Sequence, residues 1–201
     1  AAAKSGKTAF LHIKIDTGMG RIGFKVSKES VETISRISKL PNIKMEGMFT
    51  HFAKADEFDK SYPFTQHEKF LWMKEQLEKN GVQISYYDCD NSAGIIDFPD
   101  MKHDLARAGI SIYGMYPSDE VDKSAVALKP ALQLKSHVAM VKTVPAGEKI
   151  GYGGTFETKR ETVLATVTVG YGDGYPRSLS SKGYVLINGK KAPITGRVCM
   201  D

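Results

Sequence analysis

The side chains best suited to chemistry cluster at strand ends and in glycine-rich turns. In AFLHIKID (9–16), Phe10, His12, Lys14 and Asp16 alternate with Leu11, Ile13 and Ile15, the period-2 pattern of a strand. The apolar set suits packing against helices, so Lys14 points from the opposite face, where a buried ammonium is costly unless paired. Two readings follow: an ion pair with Asp16 or another carboxylate, or covalent modification of the amine. The next residues, DTGMGRIG, place Gly18, Gly20 and Gly23 in G-x-G-x-x-G order. A dinucleotide site of that kind needs its helix to open within the glycines. Here the first helix start is Ser27 and Arg21 occupies the loop, which argues against a nucleotide.

Thr50-His51 closes a later strand, at the end where α/β sheets carry chemistry. A lone histidine there serves structure as readily as catalysis. Asn91-Ser92 offers a hydroxyl able to cap a helix or hold a phosphate. Arg107, within LARAGISIYG (105–114), needs an acceptor if it is buried in its strand, and Gly109 lets a backbone N–H approach a ligand. Gly151-Tyr152-Gly153-Gly154 and Gly170-Tyr171-Gly172-Asp173-Gly174 each set one tyrosine among glycines, beside Gly196-Arg197-Val198-Cys199-Met200-Asp201. One Gly-Tyr-Gly is a turn; turns alone do not explain the set.

The elements that must position these groups change character along the chain. Ser27 caps a helix, with Val26 and Val31 as a hydrophobic staple and a stripe of Val31, Ile34, Ile37 and Leu40 stopped by Pro41. A strand over 45–51 precedes a second helix over about 65–80, with Thr65 and Glu68 as its capping box and Asn80-Gly81 as its terminator. Strands near 84–88 and 105–113 complete an alternation that predicts a parallel α/β sheet. From about 125 onward, the runs 132–144, 162–169 and 184–187 read as strands separated by turn residues, with no helix between. The expected fold is α/β then all-β, with domains over 1–124 and 125–201.

Composition narrows the function classes. The 201 residues carry 28 Lys and Arg against 23 Asp and Glu, with 41% hydrophobic and 25% charged residues, an ordinary globular balance. The basic excess is scattered, which speaks against nucleic acid and suits a small anionic ligand. No apolar run approaches the roughly 18 residues of a membrane span, and no charged-then-apolar leader is visible. Cys89 and Cys199 cannot make a disulfide framework, and neither pairs with histidine at metal-ligand spacing, so no metal is expected. The chain opens on AAAKSGK and stops on GRVCMD, as a piece of a longer protein would.

The motifs HIKIDTGMGRIGF, GMFTHFAKAD, DNSAG, LARAGISIYGMYPS, EKIGYGGTF, VGYGDGY and APITGRVCMD run in order over essentially the whole chain. Together they resemble those of the bacterial alanine racemases. The resemblance implies part of a (β/α)8 (TIM) barrel that binds pyridoxal 5'-phosphate (PLP), followed by part of a β-domain, in a homodimer whose active sites are built from both subunits. It implies an isomerase that interconverts L- and D-alanine by a two-base mechanism, feeding peptidoglycan from the cytoplasm. The Schiff-base lysine of the family precedes any motif present here.

By the same resemblance, Tyr152 is the catalytic tyrosine that exchanges the Cα proton on the L-face, and His51 hydrogen-bonds that phenol from the partner subunit. A free phenol titrates at about 10, so it is a poor base at neutral pH unless its surroundings help. Arg107 matches the arginine facing the pyridine nitrogen, where a permanent cation limits delocalisation into the ring and favours proton exchange over transamination. Arg21 matches the arginine beside the PLP phenolic oxygen and the substrate carboxylate. Ser92, Gly109 and Ile110 match phosphate contacts, Tyr171 a tyrosine at the substrate entrance, and Met200 a residue whose N–H meets the substrate carboxylate. Lys14 matches a lysine that some members carry as a carbamate, while others place chloride nearby.

One departure stands out. Where the family commonly has H-x-x-N-S, this chain has Asp88, expected either to pair with Arg107 or to face solvent. Rival functions are a serine or broad-specificity racemase of the same fold, a PLP decarboxylase, a non-catalytic PLP-binding protein, and a binder with no cofactor. Tyr152 and the β-domain speak against the decarboxylase and the carrier.

Overall fold

The alternation over residues 9–16 becomes strand β1 (Ala9–Asp16), with Ile13 and Ile15 buried from one face and Lys14 from the other. In the computed structural model, which describes residues 1–201, there follow β2 (Phe24–Lys25), helix α1 (Lys28–Ser38), β3 (Ile43–Phe49), α2 (Ser61–Lys79), β4 (Tyr86–Asp90), α3 (Ser92–Asp97) and β5 (Leu105–Ala106). The strands form one sheet of order β2-β1-β3-β4-β5, parallel throughout. Apart from the short β2, sheet neighbours are successive strands with helices between. That is the order of a barrel wall, without the switch point of a doubly wound sheet. Ile15, Ile34, Met48, Phe70, Met73 and Leu77 are fully buried in the core of this sheet and its helices.

Helix α1 starts as the sequence predicts. Ser27 Oγ accepts the Ser30 N–H at 3.2 Å, Val31 is buried, and Val26 packs on the core. Helix α2 does not: it begins at Ser61, and Thr65 lies inside it, its hydroxyl bonded back to the Ser61 carbonyl at 3.3 Å. The expected Thr65–Glu68 box is therefore absent. The helix extends upstream because its buried stripe, Pro63, Gln66, Phe70, Met73 and Leu77, already begins in the first turn. Pro63 is tolerated there, since its missing N–H has no helical partner in any case.

The run 105–113 is not one strand. β5 ends at Ala106, Arg107 follows it, and Ile110–Tyr113 is a 3-10 turn closed by Gly114 at φ 76°. β5 is the last strand of the sheet, and Leu105, Ile110 and Ile112 are exposed, so no neighbour holds the segment extended. The chain then folds back, Ala131 N–H donating to Tyr113 O at 3.0 Å and Tyr116 Oη to Val126 O at 2.7 Å. These contacts carry the first of two compact units, Ala1–Leu132, past residue 124; the second is Gln133–Asp201.

The second unit contains β6 (Val138–Val144), β7 (Lys149–Ile150), β8 (Phe156–Glu157), β9 (Thr162–Val167), β10 (Tyr184–Ile187) and β11 (Lys190–Pro193). They pair as antiparallel two-stranded ladders, β6-β9, β7-β8 and β10-β11. Asn188 and Gly189, both at positive φ, make the hairpin turn between the last two. The unit is all-β, as expected, although its first run becomes a strand only from Val138 and its second stops at Val167. No helix of the chain is long and apolar enough to cross a membrane.

Candidate active site

β1, β3 and β4 end side by side, so the residues just beyond them, Thr17, Thr50-His51 and Asn91-Ser92, come together. A buried chain of hydrogen bonds fixes the middle pair. Thr50 Oγ1 donates to Ile15 O at 2.9 Å, so the 2.7 Å contact between the Thr17 and Thr50 hydroxyls has Thr17 as donor. Gln66 Nε2 donates to Thr17 Oγ1 and to His51 O, both at 3.1 Å, while its Oε1 accepts the Ala53 N–H at 2.9 Å. Gln66 thus holds the His51 backbone from α2, a positioning role the sequence reading missed. The available signal was a polar residue inside the apolar stripe of that helix.

Arg107 organises the chemistry. Its guanidinium donates to the Asp88 carboxylate and to Thr50 O at 2.8 Å, stands 3.3 Å from His51 Nδ1, and stacks over the Phe49 ring at 5.0 Å. Its backbone N–H is held by Asp90 O at 2.9 Å. The expected Asp88–Arg107 pair is formed, although Arg107 sits just beyond a strand rather than within one. A guanidinium can only donate, so His51 Nδ1 presents its lone pair and the ring proton lies on Nε2. Burial, then the positive charges of Arg107, Arg21 and Lys14, hold His51 below the usual histidine range, which keeps it neutral. Burial pushes the Asp88 carboxyl up, against the pull of Arg107. Asp90 is pushed up to about 6 by burial and by the Asp88 charge, and its Oδ1 is buried without a partner.

Asn91, not Ser92, caps α3, its Oδ1 accepting the Gly94 N–H at 3.0 Å. Ser92 Oγ is left to accept N–H groups from Gly109 at 2.8 Å and Ser111 at 3.3 Å, with Ser111 Oγ at 3.0 Å. Gly109 and Ile110, the expected phosphate contacts, both stand beside Ser92 at the cavity wall, and the N–H groups that Ser92 itself accepts are those of Gly109 and Ser111. Beside them opens a cavity of about 350 Å³ lined by His51, Asn91, Ser92, Arg107, Gly109 and Ile110 among others, within the roughly 300–1,000 Å³ of small-molecule sites. Its donors are a fixed guanidinium, a hydroxyl and backbone N–H groups, a set that suits a ring ligand bearing a phosphate.

Lys14 and Arg21 do not line that cavity. Lys14 is buried, but its Nζ donates to the carbonyls of Ile22 at 3.2 Å and Ile15 at 3.4 Å rather than to a carboxylate, so the expected ion pair with Asp16 is not formed. Burial lowers its pKa, with Asp16 opposing and Arg21 and Arg107 reinforcing the shift. Asp16 instead accepts the N–H groups of Gly18 at 3.1 Å and Gly20 at 3.0 Å. The Tyr62 hydroxyl donates to Gly18 O at 3.0 Å and fills the place a Gly18 Cβ would take. The G-x-G-x-x-G loop is spent on its own carboxylate and on α2, and β2 intervenes before α1 starts; a nucleotide is excluded there. Arg21 is exposed.

In the second unit the two Gly-Tyr-Gly turns dock on the same C-terminal segment. Tyr171 N–H donates to Cys199 O at 2.9 Å and Gly172 N–H to Met200 O at 2.7 Å. A Cβ on Gly170 would stand 2.3 Å from Cys199 O, and one on Gly196 would stand 2.9 Å from Ile150 O. Close backbone approach is therefore the reason for Gly170, and close approach together with a φ of 77° the reason for Gly196; Tyr152, Tyr171 and Met200 are all exposed.

Known proteins match both units. The alanine racemase N-terminal domain matches residues 1–117, and the alanine racemase C-terminal domain matches residues 131–201. The alanine racemase of Desulforamulus reducens is 49% identical over 196 residues, 98% of this chain and 53% of that protein. The structure of alanine racemase from Clostridium difficile 630 superposes with a TM-score of 0.90 at 45% identity, covering 99% of this chain and 52% of that one. Alanine racemase from Bartonella henselae with covalently bound pyridoxal phosphate superposes at 0.78 and 30% identity, over 100% of this chain and 53% of that one. The chain spans about half the length of the relatives it matches. With a parallel barrel segment matching the first domain and antiparallel ladders matching the second, this chain belongs to the alanine racemase family.

Proposed function

We propose that a protein of the relatives' full length carrying this sequence is a PLP-dependent alanine racemase, a cytoplasmic homodimer supplying D-alanine for peptidoglycan. The observation that carries this reading is that Arg107, fixed by Asp88 and in contact with His51, lines one cavity with His51, Ser92, Gly109 and Ile110. The donor set fits PLP: Ser92, Gly109 and Ile110 would hold its phosphate, and Arg107 would face its pyridine nitrogen. When bound, PLP supplies a sink for the charge left at the substrate Cα.

Every other step belongs to the chain's own side chains. Arg107, held by Asp88 and too weak an acid to give up a proton, would leave the nitrogen it faces without one and so would favour return of a proton at Cα. His51 is neutral with its proton on Nε2, a donor suited to the phenol oxygen of Tyr152 of the partner subunit. That hydrogen bond stabilises the phenolate able to take the Cα proton of L-alanine. Arg21 and the N–H of the partner's Met200, a group that makes no hydrogen bond within the chain, would hold the substrate carboxylate, and the partner's Tyr171 would narrow its approach. Lys14, buried and poised toward its neutral amine, is the group to add CO₂ with loss of one proton, giving a carbamate that can hold Arg21.

In the full-length protein, Tyr152→Phe is expected to slow Cα hydrogen exchange of L-alanine by about 10²–10⁴-fold. Exchange of D-alanine and the bound-PLP absorbance should persist. Equal loss of both exchanges overturns the two-base assignment, and failure of the wild type to bind PLP overturns the reading of the cavity.

A further inference from the structure

Strand β4 alternates, so Asp88 and Asp90 serve the Arg107 side while Cys89 faces α2. Cys89 is fully buried. Beside it stand His67 of α2 and His103, from the segment leading into β5, with their Nε2 atoms 3.0 Å apart. One ring nitrogen from each histidine and the Cys89 sulfur all lie within 4.8 Å of one another. Nothing in the proposed racemase chemistry uses these three groups. We propose that His67, Cys89 and His103 form a binding site for a divalent transition metal of the zinc type, completed by water.

The geometry is close to what such an ion requires. Zinc–nitrogen bonds of about 2.0–2.1 Å in a tetrahedron set two nitrogens about 3.3 Å apart, and a sulfur at about 2.3 Å stands about 3.6 Å from each. The nitrogens already meet that spacing within a few tenths of an ångström, and side-chain rotation of about 1 Å brings in the sulfur. One thiolate with two imidazoles is a borderline-soft set that selects zinc-like ions over magnesium or calcium. Both histidines are only half-buried, so an ion and its water have a route from solvent, while Phe70, edge-on to His103 with ring centroids 5.4 Å apart, walls the inner side.

Burial holds both histidines below their usual range, but it also pushes the Cys89 thiol up, with the Asp90 and Asp88 charges adding to that, so the ion itself must displace the thiol proton. Two neutral imidazoles facing through Nε2 share one proton: one ring donates, the other accepts. On binding, that proton moves to Nδ1 of the donor ring, Cys89 Sγ–H releases its proton to solvent, and the S–metal bond forms. One proton leaves per ion, with no change of oxidation state. The ion would tie together α2, β4 and the segment that delivers Arg107.

Cobalt(II), titrated into the full-length protein, is the probe. The expected result is one ion per chain with a thiolate-to-cobalt charge-transfer band and tetrahedral visible bands, displaced by Zn²⁺. Cys89→Ala should abolish the charge-transfer band, His67→Gln and His103→Gln should each weaken binding at least tenfold, and Cys199→Ser should retain both. Saturating Zn²⁺ should raise Tm by about 5 °C in wild type and not in His103→Gln. If Cys89→Ala disturbs the core, the two histidine variants decide. No thiolate band in wild type, or affinity unchanged in both histidine variants, overturns the site.

Discussion

The two units of this chain bury their apolar residues very differently. In the first, a parallel sheet is covered by α1 and α2, and Ile15, Ile34, Met48, Phe70, Met73 and Leu77 are fully buried. In the second, the buried hydrophobic residues are Val144 and Val198, and β6 is exposed along its length except at Val144. β6 and β9 are rich in apolar residues, yet an open groove of about 1,010 Å³ runs past Val141, Val163 and Val185. A strand pattern buries its apolar face only when a second layer covers it, and a two-stranded ladder has none. Polar pins do part of that job instead: Thr158 Oγ1, itself buried, accepts the Glu148 N–H at 2.9 Å and donates to Pro145 O at 2.6 Å.

Three experiments sharpen this contrast. The largest effect is expected from Phe70→Ala, which opens a cavity in the first unit and should cost about 3–5 kcal/mol. Val163→Ala in the exposed ladder should cost no more than about 0.5 kcal/mol. Urea midpoints of the two variants measure both, and similar costs would break the comparison.

The next effect depends on pH. Asp90 titrates at about 6 in the fold against 3.8 in a free chain, so between those values the folded state holds the extra proton. Its contribution to stability is complete below about 4 and lost as pH rises through about 6, amounting to on the order of 2–3 kcal/mol. The lowered histidines, His51, His67 and His103, act in the opposite sense, folding becoming more favourable as pH rises toward 6.5. They remain in Asp90→Asn, so the wild-type-minus-variant difference in urea stability at pH 4.5 and pH 7.5 isolates Asp90. A difference that does not change with pH refutes the assignment. A smaller effect than that of Asp90 is expected from Gly170→Ala, whose methyl group would stand 2.3 Å from Cys199 O. At an ordinary φ of −147° the cost is purely steric, about 1–2 kcal/mol. It should appear as faster hydrogen exchange at the Tyr171 and Gly172 amides while first-unit amides are unchanged.

Some of this architecture was legible from local chemistry. The Ser27 cap was readable because its acceptor and donor lie three residues apart, and the Asn188-Gly189 hairpin because only residues tolerant of positive φ can make that turn. The start of α2 was misread at Thr65 because a capping box is a short pattern, and the burial of Pro63 and Gln66 outweighed it. β5 was read too long because alternation over 105–113 says nothing about whether a neighbouring strand exists. Asp88 was placed correctly against Arg107 because a buried guanidinium needs an acceptor and one stood at the right strand end. Of the two readings of Lys14, the ion pair with Asp16 or another carboxylate is not formed, and the Gly18 and Gly20 amides take the Asp16 carboxylate.

The line between local and long-range causes therefore runs through single residues. Periodicity, caps and turn residues, all set within a few positions of sequence, were enough to specify an α/β half followed by an all-β half and to single out His51, Ser92, Arg107 and Gly109. Packing between segments far apart in the chain decided the rest. It set the tautomer of His51 through Arg107, the unpartnered oxygen of Asp90, the buried Gln66 behind His51, and the meeting of His67, Cys89 and His103, which the sequence reading took to have no metal-ligand spacing at all. Hydrogen bonds, burial and charge act over a few ångströms of space, and sequence separation does not measure that distance.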